Sequence, residues 1–73
     1  MEKKLTFQLH EGEVYIPLIQ LLKAMNVAES GGDAQRMVME ARVLLNDAIE
    51  LRKRAKVRAG DVVKVADVEI QIF

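Results

Sequence analysis

The spacing of hydrophobic residues predicts a strand and then a helix in the first third of the chain. Leu5, Phe7 and Leu9 alternate with polar residues, which indicates a half-buried strand over residues 4–10. Pro17 stands where helices often begin, because its missing N–H group would have no partner there. The apolar residues that follow it at the spacing of one helical face are Leu18, Leu21, Leu22 and Met25.

A second helix is predicted to begin after Ser30. The Ser30 hydroxyl suits a helix N-cap, and the negative charge of Asp33 suits the first helical turn. The same apolar spacing recurs in Ala34, Met37, Val38 and Ala41. Because the two stripes match and the link between them is short, we expect the helices to pack closely, with small alanines at both ends of the second stripe.

A period of two returns after Ala41 and lasts to the end of the chain. Short apolar alternations are separated by the turn-forming sequences Asn46-Asp47, Ala59-Gly60-Asp61 and Ala66-Asp67. The alternating residues are Val43, Leu45, Ile49, Leu51, Val63, Val65, Val68, Ile70 and Ile72. This order predicts an α+β fold, in which two short packed helices are followed by a small, mostly antiparallel sheet. We assign residues 1–73 to a single domain, as expected for 73 residues.

The composition excludes several classes of protein. An apolar content of 51% is enough for one compact core but not for a core and a deep substrate cavity. The chain has no cysteine for a disulfide, a thiolate metal site or a nucleophile, and its one histidine, His10, cannot form a zinc site alone. The sequence contains no catalytic or cofactor motif. Without disulfides, a membrane-spanning apolar stretch or a signal peptide, we expect a cytoplasmic protein.

The net charge is zero, but the charges are segregated along the chain. Residues 42–58 contain six Lys and Arg against Asp47 and Glu50, a net charge of +4, whereas residues 1–41 and 59–73 each carry −2. An anionic partner at contact range responds to the local patch, because salt screens charges beyond about 8 Å. The neutral average therefore conceals one basic region.

The basic segment, residues 52–58, reads Arg-Lys-Arg-Ala-Lys-Val-Arg. If it is extended, the cations at alternate positions project from one face at intervals of about 6.6 Å, while Ala55 and Val57 face the core. A row of such cations suits phosphate groups, which accept bidentate hydrogen bonds from guanidinium. We expect the five cations of this segment to lack a local acidic partner. An ordinary solvated surface is the alternative interpretation.

Three other features have both a functional and a structural interpretation. Residues 30–32, Ser-Gly-Gly, could admit a phosphate to the N–H groups of a helix start, or could serve only as a cap. Asn46 is expected to form a turn rather than to read a base. Tyr15 is expected to pack at the start of the first helix rather than to stack on an unpaired base.

A series of residues along nearly the whole chain falls at the spacing of a known family. Its members are Phe7, Leu9, Tyr15, Ile16, Leu18, Gln20, Leu21, Leu22, Lys23, Ser30, Gly31, Gly32, Ala34, Glu40, Val43, Asn46, Glu50, Arg52, Lys53, Arg54, Lys56, Gly60, Asp61 and Val63. This series resembles the S4-type RNA-binding domain, whose alpha-L motif consists of two helices followed by a basic strand and loop. More narrowly, it resembles the YbcJ-like family of stand-alone, ribosome-associated bacterial proteins.

The resemblance implies RNA contacts from the second helix and from the basic strand and loop. Carried over residue by residue, these contacts are Arg36, Arg52, Lys53, Arg54 and Lys56. Charge and position alone add Lys23, Arg42 and Arg58, with Arg42 contributing if its strand neighbours the basic segment.

The chain departs from the family pattern at several positions. The family usually has glycine at Ala41, where the second helix ends, and at Asp47, after the turn asparagine, and it often has threonine at Leu51. Ala41 would be strained if its backbone required a positive φ, whereas Asp47 tolerates a left-handed conformation. Many relatives also have a basic residue near Gly32, so that Arg36 alone represents the second helix here.

The expected function is non-catalytic binding of structured RNA, either ribosomal RNA or another RNA of ribosome assembly or translation. The expected partners are this RNA and the ribosome, with no membrane and no cofactor, and the chain is expected to be a monomer. One alternative is a module that docks an acidic translation-related protein, for which exposed Leu44 and Met39 would be suitable. A sulfur or acyl carrier is disfavoured, since residues 71–73 offer no reactive tail.

Overall fold

Two helices lie in the first half of the chain. The computed structural model describes residues 2–73. Helix α1 is Leu18–Ala24 and helix α2 is Gly31–Met39. Their buried side chains belong to one hydrophobic core and are Leu18, Leu21, Leu22, Ala34 and Val38. The apolar stripes therefore predict correctly which face of each helix is buried.

Helix α2 begins with a side-chain cap at Ser30. The Ser30 hydroxyl accepts a hydrogen bond from the Asp33 N–H group at 3.1 Å. The Asp33 carboxylate in turn accepts from the Glu29 N–H group at 3.1 Å. This reciprocal pair satisfies backbone donors at the helix start, so the predicted cap at Ser30 is confirmed.

Helix α2 ends before Ala41, so the inclusion of Ala41 in its buried stripe is wrong. Ala41 is exposed and has a left-handed backbone, with φ of 59°. Its N–H group donates to the Val38 carbonyl at 3.1 Å, and the Arg42 N–H group donates to the Met37 carbonyl at 3.1 Å. These two bonds form a Schellman motif, which closes the helix and requires the positive φ that the sequence suggested as a possible strain.

The described residues contain seven strands: β1 Lys3–Phe7, β2 Ile16–Pro17, β3 Val43–Leu45, β4 Ala48–Ile49, β5 Lys56–Val57, β6 Val62–Val65 and β7 Val68–Ile72. Five of them form one sheet in the order β1-β7-β6-β3-β4, in which β1 is parallel to β7 and the other pairs are antiparallel. Strands β2 and β5 form a separate antiparallel pair. The predicted α+β fold with a mostly antiparallel sheet is confirmed.

The strands contribute alternate residues to the same core as the helices. Their buried side chains, with the neighbouring Ala55, are Ile16, Val43, Val57, Val63, Val65, Ile70 and Ile72. Ala55 and Val57 of the basic segment are only 5% and 0% exposed, as predicted. The segment that carries the cations is therefore anchored in the core by its apolar residues.

Some apolar side chains remain at the surface. Met39 is exposed as expected, but Leu44 is half-buried, because it lies in strand β3, which is flanked by β4 and β6. Ile49 and Leu51 are exposed instead.

Within residues 2–73, no helix is long and apolar enough to cross a membrane. The same residues contain no group of three or more metal-ligating side chains.

Candidate nucleic-acid interface

The basic segment begins with a turn rather than a strand. The Ala55 N–H group donates to the Arg52 carbonyl at 3.1 Å, and the turn places Lys53 and Arg54 at its corner. Only Lys56–Val57 is extended and paired. The prediction that the whole segment is extended is therefore wrong for its first half.

Two backbone hydrogen bonds to helix α1 explain this bend. The Leu18 N–H group donates to the Ala55 carbonyl at 2.9 Å, and the Ile19 N–H group donates to the Lys53 carbonyl at 3.2 Å. A helix leaves its first N–H groups without internal partners, and Pro17, the N-cap residue, provides no side-chain cap. The turn carbonyls take that role, so the start of α1 fixes the backbone of the basic segment.

The second half of the basic segment is held by strand β2. Ile16 pairs with Val57 and Pro17 pairs with Lys56 in the antiparallel ladder. Successive side chains of a strand point to opposite faces, so burial of Val57 turns Lys56 outward. The segment is therefore attached at both halves before any ligand binds.

Four of the five cations of the basic segment remain on one shared surface despite the turn. Arg52, Arg54, Lys56 and Arg58 line a shallow depression of about 460 Å³ above Ala55. Within residues 2–73, the side chains of Arg54, Lys56 and Arg58 form no salt bridge. The surface thus presents positive charges that are available to an anion.

Arg52 differs from its neighbours because it has a carboxylate partner, and the expectation that all five cations lack one is wrong here. Its Nε atom lies 3.1 Å from Glu50 Oε2, and its Nη2 atom lies 3.3 Å from Oε1. The Arg52 N–H group also donates to Oε2 at 3.0 Å. The hydrogen bonds from the Arg52 guanidinium, and to a lesser extent the one from its N–H group, lower the pKa of Glu50. The Glu50 carboxylate in turn raises the pKa of Arg52. Both groups are therefore charged at neutral pH.

The other candidate cations lie outside this depression. Arg36 is paired with Asp33 at 2.7 Å, and its guanidinium lowers the pKa of that carboxyl group. Arg42 lies 3.3 Å from Glu40. Arg42 was expected to join the basic surface if its strand neighboured the basic segment. Strand β5 of that segment pairs with β2 rather than with β3, so the two strands are not neighbours. The roles of all eight candidate cations in binding RNA stay predictions.

Lys23 belongs to a second, larger groove next to the basic segment. The groove has a volume of about 610 Å³, and Lys23, Arg54 and Lys56 line it together with Tyr15. Tyr15 is 37% exposed, and the Lys56 ammonium lies 5.1 Å from the centre of its ring. Arg54 and Lys56 therefore connect the two concave parts of the surface.

A polar network anchors the other end of the basic segment. Asn46 and Asp47 form the β3–β4 turn, with φ values of 52° and 68°. The Asn46 amide donates to Asp61 Oδ1 at 3.0 Å and accepts from the Val62 N–H group at 2.9 Å. Asp61 Oδ2 accepts from the Arg58 N–H group at 2.7 Å. The turn interpretation of Asn46 is confirmed, and Asp61 holds the backbone at Arg58.

The sequence contained a signal for the Glu50–Arg52 pair but none for the capping of α1 by the turn. Glu50 stands two residues before Arg52, which places both side chains on the same side of an extended backbone and could have indicated their pairing. The capping of α1 by carbonyls from residues 53 and 55 has no signature in side-chain type, because backbone carbonyls are common to all residues.

Comparison with protein families gives a match to the S4 domain over residues 7–73. This chain belongs to the S4 domain family. The Ser30 cap, the left-handed exit of α2 at Ala41 and the basic turn all lie within the residues that match the family. The resemblance to the S4-type RNA-binding domain, which was based on the series of residues at the family's spacing, is confirmed.

Relatives of this S4 domain have been named for RNA and for the ribosome. The putative RNA-binding protein YbcJ of Escherichia coli is 36% identical over 58 residues, covering 80% of this chain and 83% of YbcJ. The probable ribosome maturation protein RlbA of Bacillus subtilis is 42% identical over 50 residues, covering 68% of this chain and 70% of RlbA. The solution structure of Escherichia coli YbcJ, reported to contain an alpha-L motif involved in RNA binding, superposes with a TM-score of 0.73 at 35% identity, over 99% of this chain and 90% of YbcJ.

Proposed function

We propose that this S4 domain binds structured RNA, with ribosomal RNA as its target, and catalyses no reaction. The observation that carries the proposal is the exposure of Arg54, Lys56 and Arg58 and their lack of acidic partners. These cations are exposed, form no salt bridge within residues 2–73, and project from a backbone that α1 and β2 already hold. Little backbone ordering remains to oppose binding.

The geometry supports recognition of the RNA backbone. Arginine can donate two parallel hydrogen bonds to one phosphate, and Lys56 adds a point charge between Arg54 and Arg58. Double-stranded RNA is recognised mostly through its phosphates, its 2′-hydroxyl groups and its shape. Phosphate contacts would therefore set the affinity, and the fixed arrangement of the cations would set the preference for a folded RNA.

The choice of ribosomal RNA rests on the relatives. One relative is named as a probable ribosome maturation protein and another as a putative RNA-binding protein. A role at the ribosome would place the protein in the cytoplasm. The absence of catalysis is part of the proposal, since phosphate contacts by arginine and lysine need no reactive group.

A matched pair of double variants tests the proposal. Arg54→Gln/Arg58→Gln removes two charges from the basic segment, and Lys3→Gln/Lys4→Gln removes two charges from the exposed positions of β1. Glutamine retains most of the aliphatic chain in each case. We expect the first variant to bind ribosomal RNA fragments at least about tenfold more weakly in fluorescence anisotropy, because each charged hydrogen bond contributes about 1.5–3 kcal/mol. The β1 variant should bind like the wild type.

Equal affinity of the two double variants would reject the basic segment as the binding site. Crosslinking in cells, followed by sequencing of the bound RNA, identifies the target directly. Recovery of an acidic protein that persists after nuclease treatment, with no enriched RNA, would instead favour the protein-docking alternative.

A further inference from the structure

The larger groove combines aromatic, apolar and cationic walls. Its volume of about 610 Å³ lies within the range of roughly 300–1,000 Å³ that is usual for small-molecule sites. Tyr15 and Ile19 provide apolar surface, and Lys23, Arg54 and Lys56 provide positive charge. None of the described residues that line the groove is acidic. The groove is therefore suited to a ligand that has a flat apolar part and a negative charge.

The ring of Tyr15 is the feature that selects among such ligands. Tyr15 is 37% exposed, and the ammonium group of Lys56 lies 5.1 Å from its ring centre, a distance typical of a cation–π contact. Because the Lys56 ammonium lies over the ring, a stacking base would take its place on the ring face, and the displaced ammonium would be free to contact the phosphate of the same nucleotide. A nucleotide has both complementary parts, because a base stacks on an aromatic ring and its phosphate pairs with a cation.

The wall of this groove is already formed in the free protein. The hydrogen bond from the Leu18 N–H group to the Ala55 carbonyl fixes the turn that carries Arg54. The β2–β5 ladder sets Pro17 opposite Lys56. An exposed amide at Gln20, with one donor group and one acceptor oxygen, stands in the same wall and can meet the edge of a base.

We propose that this groove receives one unpaired nucleotide of the bound RNA, with its base stacked on Tyr15 and its phosphate in contact with Arg54 and Lys56. The inference rests on the proposed RNA-binding function and names the RNA feature that the site selects. A base inside an A-form helix stays stacked on its neighbours, whereas a bulged base next to a paired stem is free to enter. The stem would lie along the shallow depression, which shares Arg54 and Lys56 with the groove.

Two RNA hairpins that differ by one nucleotide test this inference. They have the same stem, and one of them carries a single unpaired adenosine within it. In fluorescence anisotropy at low salt, we expect the wild-type protein to bind the bulged hairpin about 5- to 150-fold more tightly, the range that corresponds to stacking of one base on an aromatic side chain. Arg54→Gln/Arg58→Gln should weaken binding of both hairpins.

Substitutions of Tyr15 separate stacking from charge. Tyr15→Leu should remove the preference for the bulged hairpin and leave the affinity for the paired hairpin unchanged, while Tyr15→Phe should keep the preference because it keeps the ring. Equal affinity of the wild type for both hairpins, or a preference that survives Tyr15→Leu, overturns the nucleotide site and leaves RNA binding in place. Failure of the wild type to bind either hairpin at low salt overturns RNA binding as well, since phosphate attraction is independent of sequence. The wild-type comparison decides even if Tyr15→Leu unfolds.

Discussion

Left-handed backbone conformations occur at five non-glycine residues within residues 2–73: Asn26, Ala41, Asn46, Asp47 and Ala66. Asparagine and aspartate adopt this conformation at low cost, because their short polar side chains can hydrogen-bond locally. Alanine has no such compensation, and its Cβ atom approaches the following carbonyl oxygen. Ala41 and Ala66 therefore hold local strain that the surrounding hydrogen bonds offset.

Ala41→Gly is expected to stabilise the protein. Relief of the left-handed strain, about 1–2 kcal/mol, exceeds the entropy that glycine adds to the unfolded chain, about 0.5–1 kcal/mol. The free energy of unfolding, measured by urea denaturation, should rise by about 0.5–1 kcal/mol. As a control, Ala24→Gly at the exposed end of α1 should lower it by a similar amount, about 0.5–1 kcal/mol. A loss of stability in Ala41→Gly would contradict the strain.

The Glu50–Arg52 pair makes the stability of the fold depend on pH. The pKa of Glu50 lies below its usual value of 4.5, because the guanidinium and N–H groups of Arg52 stabilise the carboxylate. The ionised carboxylate therefore stabilises the folded state above that usual value, and this contribution is lost as the pH falls through the lowered value. At neutral pH, the interaction also holds the Arg52 side chain in one orientation.

Glu50→Gln is expected to lower the free energy of unfolding at neutral pH and to lose this effect at a pH low enough to protonate the wild-type carboxyl group as well. Thermal unfolding of both proteins at the two pH values measures the difference. Glu11→Gln removes a carboxylate of the same charge that forms no salt bridge in the described structure. That control should behave like the wild type at neutral pH. A gap between wild type and Glu50→Gln that stays constant with pH would exclude the charged pair as its cause.

At the scale of elements, helix α1 and the basic segment form one unit. The first N–H groups of α1 donate to carbonyls of the turn, and β2 leads directly into α1 while it pairs with β5. In helix α2, by contrast, an N–H group of the first turn donates to a nearby side chain, that of Ser30. The site is therefore coupled to α1 by the backbone, and a change at the start of α1 should move the cations.

Hydrogen exchange should reveal the different ends of the two helices. The amides of Leu18 and Ile19 donate to carbonyls of the turn, so we expect them to exchange slowly even though they lie in the first turn of a helix. Gly31 and Gly32 occupy the same positions in α2 and should exchange fast. Amide exchange followed by NMR compares all four in one experiment. Equal rates at the two helix starts would show that the turn opens readily.

For the molecule as a whole, the zero net charge and the local basic surface have different consequences. The negative regions before and after the basic segment cancel its field at long range, and salt screens what remains beyond about 8 Å. Attraction of an anion therefore acts mainly at contact. Affinity would depend on the cations that touch phosphate, and the net charge would contribute little.

The dependence of RNA affinity on salt measures the number of these contacts. If the surface neutralises about four phosphates, the logarithm of the association constant should fall with the logarithm of the salt concentration at a slope of roughly −3 to −4. Arg54→Gln/Arg58→Gln should make this slope shallower by roughly 1.4–1.8, since each lost phosphate contact removes about 0.7–0.9. Lys3→Gln/Lys4→Gln should leave it unchanged. A slope near zero in the wild type would exclude phosphate contacts as the source of affinity.

The sequence by itself determined the two helices, the longer strands and most of the core. The period of the hydrophobic residues identifies the buried faces of α1 and α2, and the alternation in residues 62–72 identifies two closing strands. These features depend on neighbours within a few residues, so local spacing contains the information. The parallel pairing of β1 with β7 depends on residues more than sixty positions apart, such as Leu5 and Ile70, and no local pattern specifies it.

For the candidate site too, the sequence determined some features and the tertiary structure decided others. Residue type and spacing identified the cations and predicted that Ala55 and Val57 are buried, because charge and hydrophobicity are properties of each side chain. Tertiary structure decided that the basic segment turns at Lys53 and Arg54, because the start of α1 needs hydrogen-bond acceptors and finds them in distant backbone carbonyls. It also decided that Tyr15 stands next to Lys56, because the β2–β5 pairing brings together two parts of the chain about forty residues apart.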